Sequence, residues 1–256
     1  MRIATFNANG IRAACRKGFW DWFDKQNIDV LCIQETKAQL EKLTDFTWPK
    51  DYHCFYSDAK KPGYSGVAIL CKNKPKEISQ SFDYPLVDDE GRLIILHFEN
   101  FNIACAYFPS GTSGDSRQTL KMEFLDWFKQ HIFDPYYKTN IPFILCADVN
   151  IAHQKIDLKN WKSNQKSSGF LPEERAFMDL LLTHDWRDTH RHILKDNAEY
   201  TWWTYRANAR ENNVGWRIDY QLIQQNHTSL IKNAKVIKDP IFSDHAPLIV
   251  DYDLTF

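Results

Sequence analysis

No apolar run in these 256 residues approaches the ~18 needed to cross a membrane, which excludes a spanning helix. The opening Met1-Arg2-Ile3-Ala4-Thr5-Phe6 lacks the apolar core of a secretory leader, and no long basic extension precedes it. Export is not expected, and a compact, bacterial-type cytoplasmic protein is. The six cysteines (Cys15, Cys32, Cys54, Cys71, Cys105, Cys146) include no C-x-x-C pair, which argues against a zinc site or a disulfide framework. Several lie inside apolar runs such as Val30-Leu31-Cys32-Ile33, so they read as small core residues in a reducing compartment. No repeat, low-complexity tract or Gly/Ser linker divides the chain, and a single domain over 1–256 is expected. Positive charge is not in excess either. Thirty-two Lys+Arg against 33 Asp+Glu leave a net charge of −1, so nucleic-acid binding would require charge segregated by face.

Hydrophobic residues, by contrast, make up 43% of the chain, which excludes a disordered one. Strand-like apolar runs alternate with amphipathic helical stretches. Strands are expected at Ile3–Asn7, Val30–Gln34, Gly66–Lys72, Leu93–Phe98, Phe101–Tyr107, Pro142–Ala147, Ile218–Ile223 and Leu248–Tyr252. A helical segment with Phe19, Trp22 and Phe23 on one face falls between the first two, and another covers about Asp115–Ile132. A third starts at Pro172-Glu173-Glu174, where proline and two acids suit a first turn, and should bury Phe177, Leu180 and Leu181. This mixture predicts an α/β fold of two packed mixed sheets with helices outside.

The polar residues collect at strand ends. The first strand stops at Asn7-Ala8-Asn9-Gly10, the second at Gln34-Glu35-Thr36-Lys37, and the run 142–147 at Asp148-Val149-Asn150. Ser243-Asp244-His245 precedes the last strand, and Arg217-Ile218-Asp219-Tyr220 places a carboxylate in an apolar run. Loops at one sheet edge are where α/β proteins gather function. Magnesium takes oxygen ligands, usually one or two carboxylates with waters and phosphate, and Asn7 with Glu35 could supply them. Phosphodiester cleavage needs an oriented water and charge stabilisation at phosphorus. Asp148 could activate the water, Asn150 orient it, and His245 face the phosphate with Asp219 fixing its tautomer. Singly, each has a plainer reading, since an Asn at a strand end is usually a turn former and a Glu there is usually solvated. The joint occurrence is what carries weight.

Seven stretches complete the pattern: Phe6-Asn7-Ala8-Asn9-Gly10-Ile11-Arg12, Ile33 to Lys37, Tyr64-Ser65-Gly66-Val67-Ala68, Ala106-Tyr107-Phe108-Pro109, Ala147 to His153, Trp216-Arg217-Ile218-Asp219-Tyr220, and Ser243-Asp244-His245-Ala246-Pro247. In this order, and spanning nearly the whole chain, they resemble exonuclease III-type abasic-site endonucleases. Ser-Asp-His alone is shared with DNase I-like nucleases, inositol polyphosphate phosphatases and sphingomyelinases. Gln-Glu-Thr-Lys, Trp-Arg-Ile-Asp-Tyr and Phe-Leu-Pro-Glu-Glu-Arg (170–175) are narrower signals. The resemblance implies a four-layer, DNase I-like α/β sandwich with Mg²⁺ at Glu35 and Asn7, Mn²⁺ as its substitute, and Asp244 near the metal. It implies Asp148 as water activator, Asn150 as its guide, His245 with Asp219 at the phosphate, and Tyr107 near the phosphate or the leaving 3′ oxygen. The implied activity is cleavage 5′ to abasic sites in double-stranded DNA by a monomer, accompanied by 3′-5′ exonuclease and 3′-phosphodiesterase activity. Asn9, Ser110, Ala147 and Arg206 depart from residues common at these places in relatives.

Residues 201–217 pack three tryptophans, a tyrosine and three arginines into a stretch of little periodicity. That suits a loop pressed against DNA, with Arg206, Arg210 and Arg217 on phosphates. The alternative is that Trp202, Trp203 or Trp216 is simply core. By the resemblance, Trp202 and Trp216 line a pocket for the baseless sugar. Arg12, Lys37, Tyr64, Asn160 and Asn164 are further candidates for backbone contact, with Arg16, Lys17, Lys60 and Lys61 extending the track. Two competing hypotheses keep the scaffold: one changes the substrate to a phosphoinositide, a sphingolipid or undamaged DNA, and the second makes the protein a nucleic-acid or protein-binding module without catalysis. Retention of a water-activating Asp148 speaks against the second.

Overall fold

The computed structural model describes residues 1–43 and 46–256. Among the described residues, the strands run in chain order as β1 (Arg2–Asn7), β2 (Val30–Gln34), β3 (His53–Ser57), β4 (Val67–Cys71), β5 (Glu77–Ser79), β6 (Leu93–His97), β7 (Asn102–Tyr107), β8 (Phe143–Asp148), β9 (Trp186–Asp188), β10 (Asp219–Gln224), β11 (Ile231–Val236) and β12 (Leu248–Tyr252). The α-helices described are α1 (Ile11–Arg16), α2 (Phe19–Phe23), α3 (Pro85–Asp88), α4 (Asp115–Phe128), α5 (Asp134–Tyr137), α6 (Pro172–His184) and α7 (Thr189–Leu194). The expected helix over 115–132 is α4 prolonged by a π-helical turn at Lys129–Phe133. Strands β3, β5, β9 and β11 were not anticipated. β5 and β9 span three residues each, and β3 and β11 mix polar with apolar residues and are only partly buried, so none of the four forms a clear apolar run.

One sheet has the order β11-β12-β1-β2-β4-β3 and the other β5-β6-β7-β8-β10-β9. Each contains one parallel pair, β1 with β2 and β7 with β8, and the other pairings are antiparallel. Both parallel pairs need a crossover, which α1–α2 and α4–α5 supply. Alternation along the strands then sorts the side chains. Ile3, Val30, Cys32, Val67, Ile69, Ile103, Cys105, Ile144 and Cys146 fill the layer between the sheets. Ala4, Phe6, Leu31, Ile33 and Leu70 face outward onto α1 and α2, whose Phe19 stacks on Phe6 at 4.6 Å. Ala104, Ala106, Leu145 and Leu222 face outward on the other side, onto α4 and α6. The result is two mixed sheets flanked by helices.

Two expectations are corrected here. Leu180 is 59% exposed, because the buried stripe of α6 is Glu174, Phe177, Met178 and Leu181. Arg217 is 1% exposed and cannot reach a phosphate. Its guanidinium meets Asp157 at 2.8 Å and Asp188 at 2.7 Å, and lies over the Tyr220 ring. Cys32, Cys71, Cys105 and Cys146 are buried as expected, whereas Cys15 and Cys54 are only half-buried. Among the described residues, no helix is long and apolar enough to cross a membrane.

The Arg217 cluster fixes the root of segment 201–217. Burial alone would raise the pKa of Asp157, but the charges of Arg217 and Arg191 hold it down to about 2. The pair's contribution is therefore complete above the ordinary carboxylate range near about pH 4, and fades as pH falls toward the folded-state value. Arg217→Met leaves Asp188 without its buried cation and Asp157 with Arg191 alone, and should cost about 3–5 kcal/mol in urea unfolding at neutral pH. The same titration series should show a smaller loss of stability between about pH 4 and pH 2 than in the wild type, because Asp157 without Arg217 is less depressed and has less to lose on protonation.

Candidate active site

Register brings the polar strand ends together. Asp148, the last residue of β8, is paired with Tyr107 of β7 on one side and Asp219 of β10 on the other. Across the layer, Asn7 is paired with Gln34. These five positions continue the inward-facing rows of Cys105, Cys146, Ile223, Ile3 and Cys32, so each row turns from apolar to polar at the same edge. The parallel strands β1, β2, β7 and β8 all end there, and antiparallel β10 and β12 begin there, which delivers Asp219 and Ser243–His245 to the same place.

The Asn7 amide donates to Glu35 Oε2 at 2.9 Å and to Asp148 Oδ2 at 2.8 Å. Its Oδ1 accepts the Asn9 backbone N–H at 2.9 Å. His245 Nδ1 lies 2.9 Å from Asp219 Oδ2, which leaves Nε2 facing the hollow, 4.0 Å from Asp148 Oδ2. Donor atoms of Glu35, Asp148 and His245 all lie within 4.8 Å of one another, a spacing that could hold a metal ion. Asn150 uses its backbone N–H on Asp148 Oδ1 at 2.9 Å and its amide N–H on the Phe108 carbonyl at 3.0 Å. Its side-chain oxygen remains for the pocket that it lines. Asp244 accepts from Asn9 and Trp202 at 2.9 and 3.1 Å.

Electrostatics separate the two central groups. Burial, with Asp219 and Glu35 nearby, pushes Asp148 up to about 7. Burial opposes charge on His245, but Asp219 and the other carboxylates outweigh it and raise the ring to about 10. Burial also holds the Tyr107 hydroxyl well above its ordinary range, with Glu35 and Asp148 adding to the effect, so Tyr107 is a neutral donor. Asn9, Glu35, Lys37 and Asn150 all have φ between 43° and 56°. Non-glycine residues in that region cost roughly 1–3 kcal/mol each, and they cluster at functional sites.

The cavity, about 380 Å³, runs from these groups to a wall of Trp202, Trp216, Ile218 and Gly169. The two indoles meet edge to face, with centroids 6.4 Å apart, while Trp203 is buried core. Of the expected DNA contacts, Lys37 lines this cavity and meets Glu35 at 3.1 Å. Arg12 lines a different one, with its guanidinium on the Lys42 carbonyl. Tyr64 OH accepts from Arg92 and Arg117 at 3.1 and 2.8 Å. Asn160 and Arg206 are exposed. The Asn164 amide is folded onto the Asn160 carbonyl at 2.8 Å. Arg210 donates to the carbonyls of Ser243 and Lys238 and lies over Trp203, so the chain itself engages its guanidinium. Sequence reading missed the wall residues Thr112, Ser167, Ser168 and Gly169, which fall in loops without periodicity, and the buried Lys121 and Glu174 behind them.

Fold and site together define a two-sheet α/β sandwich whose shared edge carries a buried acid–amide–histidine centre. The chain belongs to the Endonuclease/Exonuclease/phosphatase family, whose model matches residues 4–245. It is 37% identical over 250 residues to an exodeoxyribonuclease of Bacillus subtilis (strain 168), covering 97% of this chain and 98% of that protein. Against the DNA repair nuclease APEX1 of Danio rerio it is 38% identical over 256 residues, covering 97% and 81%. The solved structure of an AP endonuclease from Archaeoglobus fulgidus superposes with a TM-score of 0.86 at 25% identity, covering 99% of this chain and 100% of that one.

The His245–Asp219 pair is directly measurable. An NMR titration of the ring should show an imidazolium persisting to about pH 10. Asp219→Asn removes the main group that holds the proton, and should bring the transition down toward the ordinary histidine range near about 6.5.

Proposed function

We propose that this chain is a metal-dependent DNA phosphodiesterase that hydrolyses the backbone on the 5′ side of abasic sites. Exonuclease action in the 3′-5′ direction and 3′-end cleaning are companion activities of the same centre. One observation carries the reading: a buried carboxylate tuned to about 7, a histidine tuned to about 10 and an acidic cation site meet beside a small, tryptophan-walled cavity. The names of the relatives supply the substrate class.

Glu35 would hold the cation with Asp244 near it, and Asn7 would join them with its amide turned to present Oδ1 in place of Nδ2. Their hard oxygen donors suit Mg²⁺, with Mn²⁺ as a substitute. His245, held protonated by Asp219, is a poor ligand and a good hydrogen-bond donor. When bound, the metal supplies positive charge to the phosphoryl oxygens and to the leaving 3′ oxygen. Asp148 takes the proton of the attacking water, and a pKa near neutrality suits that exchange. Asn150 orients this water through its free side-chain oxygen. His245 donates to a phosphoryl oxygen, and Tyr107 donates near the leaving group. The bond from phosphorus to the 3′ oxygen breaks, leaving a 3′-hydroxyl and a 5′-deoxyribose phosphate. Trp202 and Trp216, which wall the cavity beside the catalytic groups, would pack against the baseless sugar. Arg12, Asn160 and Arg206 are the exposed candidates for contact with the DNA backbone, while Lys37 lines the cavity itself.

A nicking assay on an abasic duplex tests this. Turnover should require Mg²⁺, vanish with EDTA and return with Mn²⁺. Asp148→Asn should lower kcat by about 10²–10⁴ while the fold remains intact. Undiminished nicking by that folded variant, or equal turnover of an inositol polyphosphate, would remove the proposal.

A further inference from the structure

Two ions occupy positions where helical stripes call for carbon. The buried residues of α4 are Lys121, Phe124, Leu125 and Phe128, and those of α6 are Glu174, Phe177, Met178 and Leu181. Both follow the i, i+3, i+4, i+7 spacing of a core-facing stripe. Neither ion has exposed side-chain surface, and Lys121 Nζ lies 2.6 Å from Glu174 Oε1. Such a pair is a weak source of stability, because desolvating both ions offsets most of their attraction, and apolar residues of similar size often serve as well.

One of its other contacts caps α6, where Glu174 accepts the N–H of the N-cap residue Leu171, and the rest lead toward the catalytic pocket. Lys121 Nζ donates to the Asn150 carbonyl at 2.8 Å, at a residue already strained at φ 56°. Glu174 Oε2 accepts the backbone N–H groups of Gly169 and Leu171 at 2.6 and 3.0 Å. Gly169, in turn, is so close that an added Cβ would lie 3.1 Å from the Asn150 oxygen and 3.2 Å from the Trp216 ring. Gln118 and Ser168 extend the network, with the Ser168 hydroxyl donating to Gln118 Oε1 at 2.7 Å and Gln118 donating to Glu174 at 3.2 Å.

We infer that Lys121 and Glu174 are positioning residues: together they clamp the Asn150 backbone and the pocket wall at Gly169 into one rigid unit, and so fix where the attacking water meets the substrate. This rests on the phosphodiesterase reading above. Neither residue touches substrate. Both act through Asn150 and the wall, so their loss should appear in turnover rather than in binding.

The test is steady-state kinetics on an abasic duplex with thermal melting of each variant. Lys121→Met alone leaves Glu174 as a lone buried charge and should lower the melting temperature. Lys121→Met combined with Glu174→Gln removes both charges while keeping an amide oxygen for the Gly169 and Leu171 N–H groups. That double variant should melt near the wild type, yet show kcat lower by about tenfold or more with KM changed less than about threefold, as expected when alignment and not affinity is lost. Lys121→Arg, which restores a cationic donor, should recover part of kcat. A double variant with kcat within about twofold of wild type overturns the inference. So does one that fails to fold, since the pair is then structural, and so does an arginine variant no faster than the double. A wild-type chain that leaves abasic DNA intact refutes the functional reading instead.

Discussion

Like charges buried side by side constrain this molecule more than any other feature. Asp148 and Asp219 occupy facing register positions on adjacent strands, both buried, with Glu35 close by. They cannot all be ionised there without compensation. The Asn7 amide bridges two of the carboxylates, and the His245 ring takes up the charge of the third. This need for compensation separates the two central groups, leaving Asp148 able to exchange a proton near neutral pH and His245 committed to keeping one.

The sandwich serves that centre by geometry. Four strands that belong to parallel pairs end at one edge and two antiparallel strands start there, so residues from both sheets meet without long excursions of chain. Beneath the charged groups lies a tier of satisfied amides. Gln34 donates to Thr5 and Cys105, and Gln221 donates to the carbonyls of Ile3 and Leu248. Fully paired polar groups of this kind are rigid and make a firm floor. The walls are held separately, by Arg217 with its two aspartates on one side and by Lys121 with Glu174 on the other. In both places a buried cation braces a loop that carries no secondary structure of its own.

Much of the architecture was legible because β1, β2, β4, β6, β7, β8, β10 and β12 lie in apolar runs and are buried on both faces. The polar residues that end or precede those strands were conspicuous for the same reason. Leu180 was misplaced because a leucine beside Leu181 is indistinguishable from a core residue until the phase of the helix is set by Glu174, Phe177 and Met178. The signal for Lys121 and Glu174 was present: each is an ion at a stripe position of an otherwise apolar helical face. Read together, a lysine on one stripe and a glutamate on another already imply a buried partner.

The sequence by itself determined the residue types, the alternation that makes two mixed sheets, and the order of motifs that places the chain in its family. Only the tertiary structure decided which charges are internal, since Arg217 and Arg206 stand eleven positions apart in one aromatic segment and differ entirely in burial. It also decided that Trp203 is core while Trp202 and Trp216 wall a cavity. The physical reason is separation along the chain. Asn7 and Asp148 are 141 residues apart, and local periodicity reports which face a side chain takes but never what it will meet there.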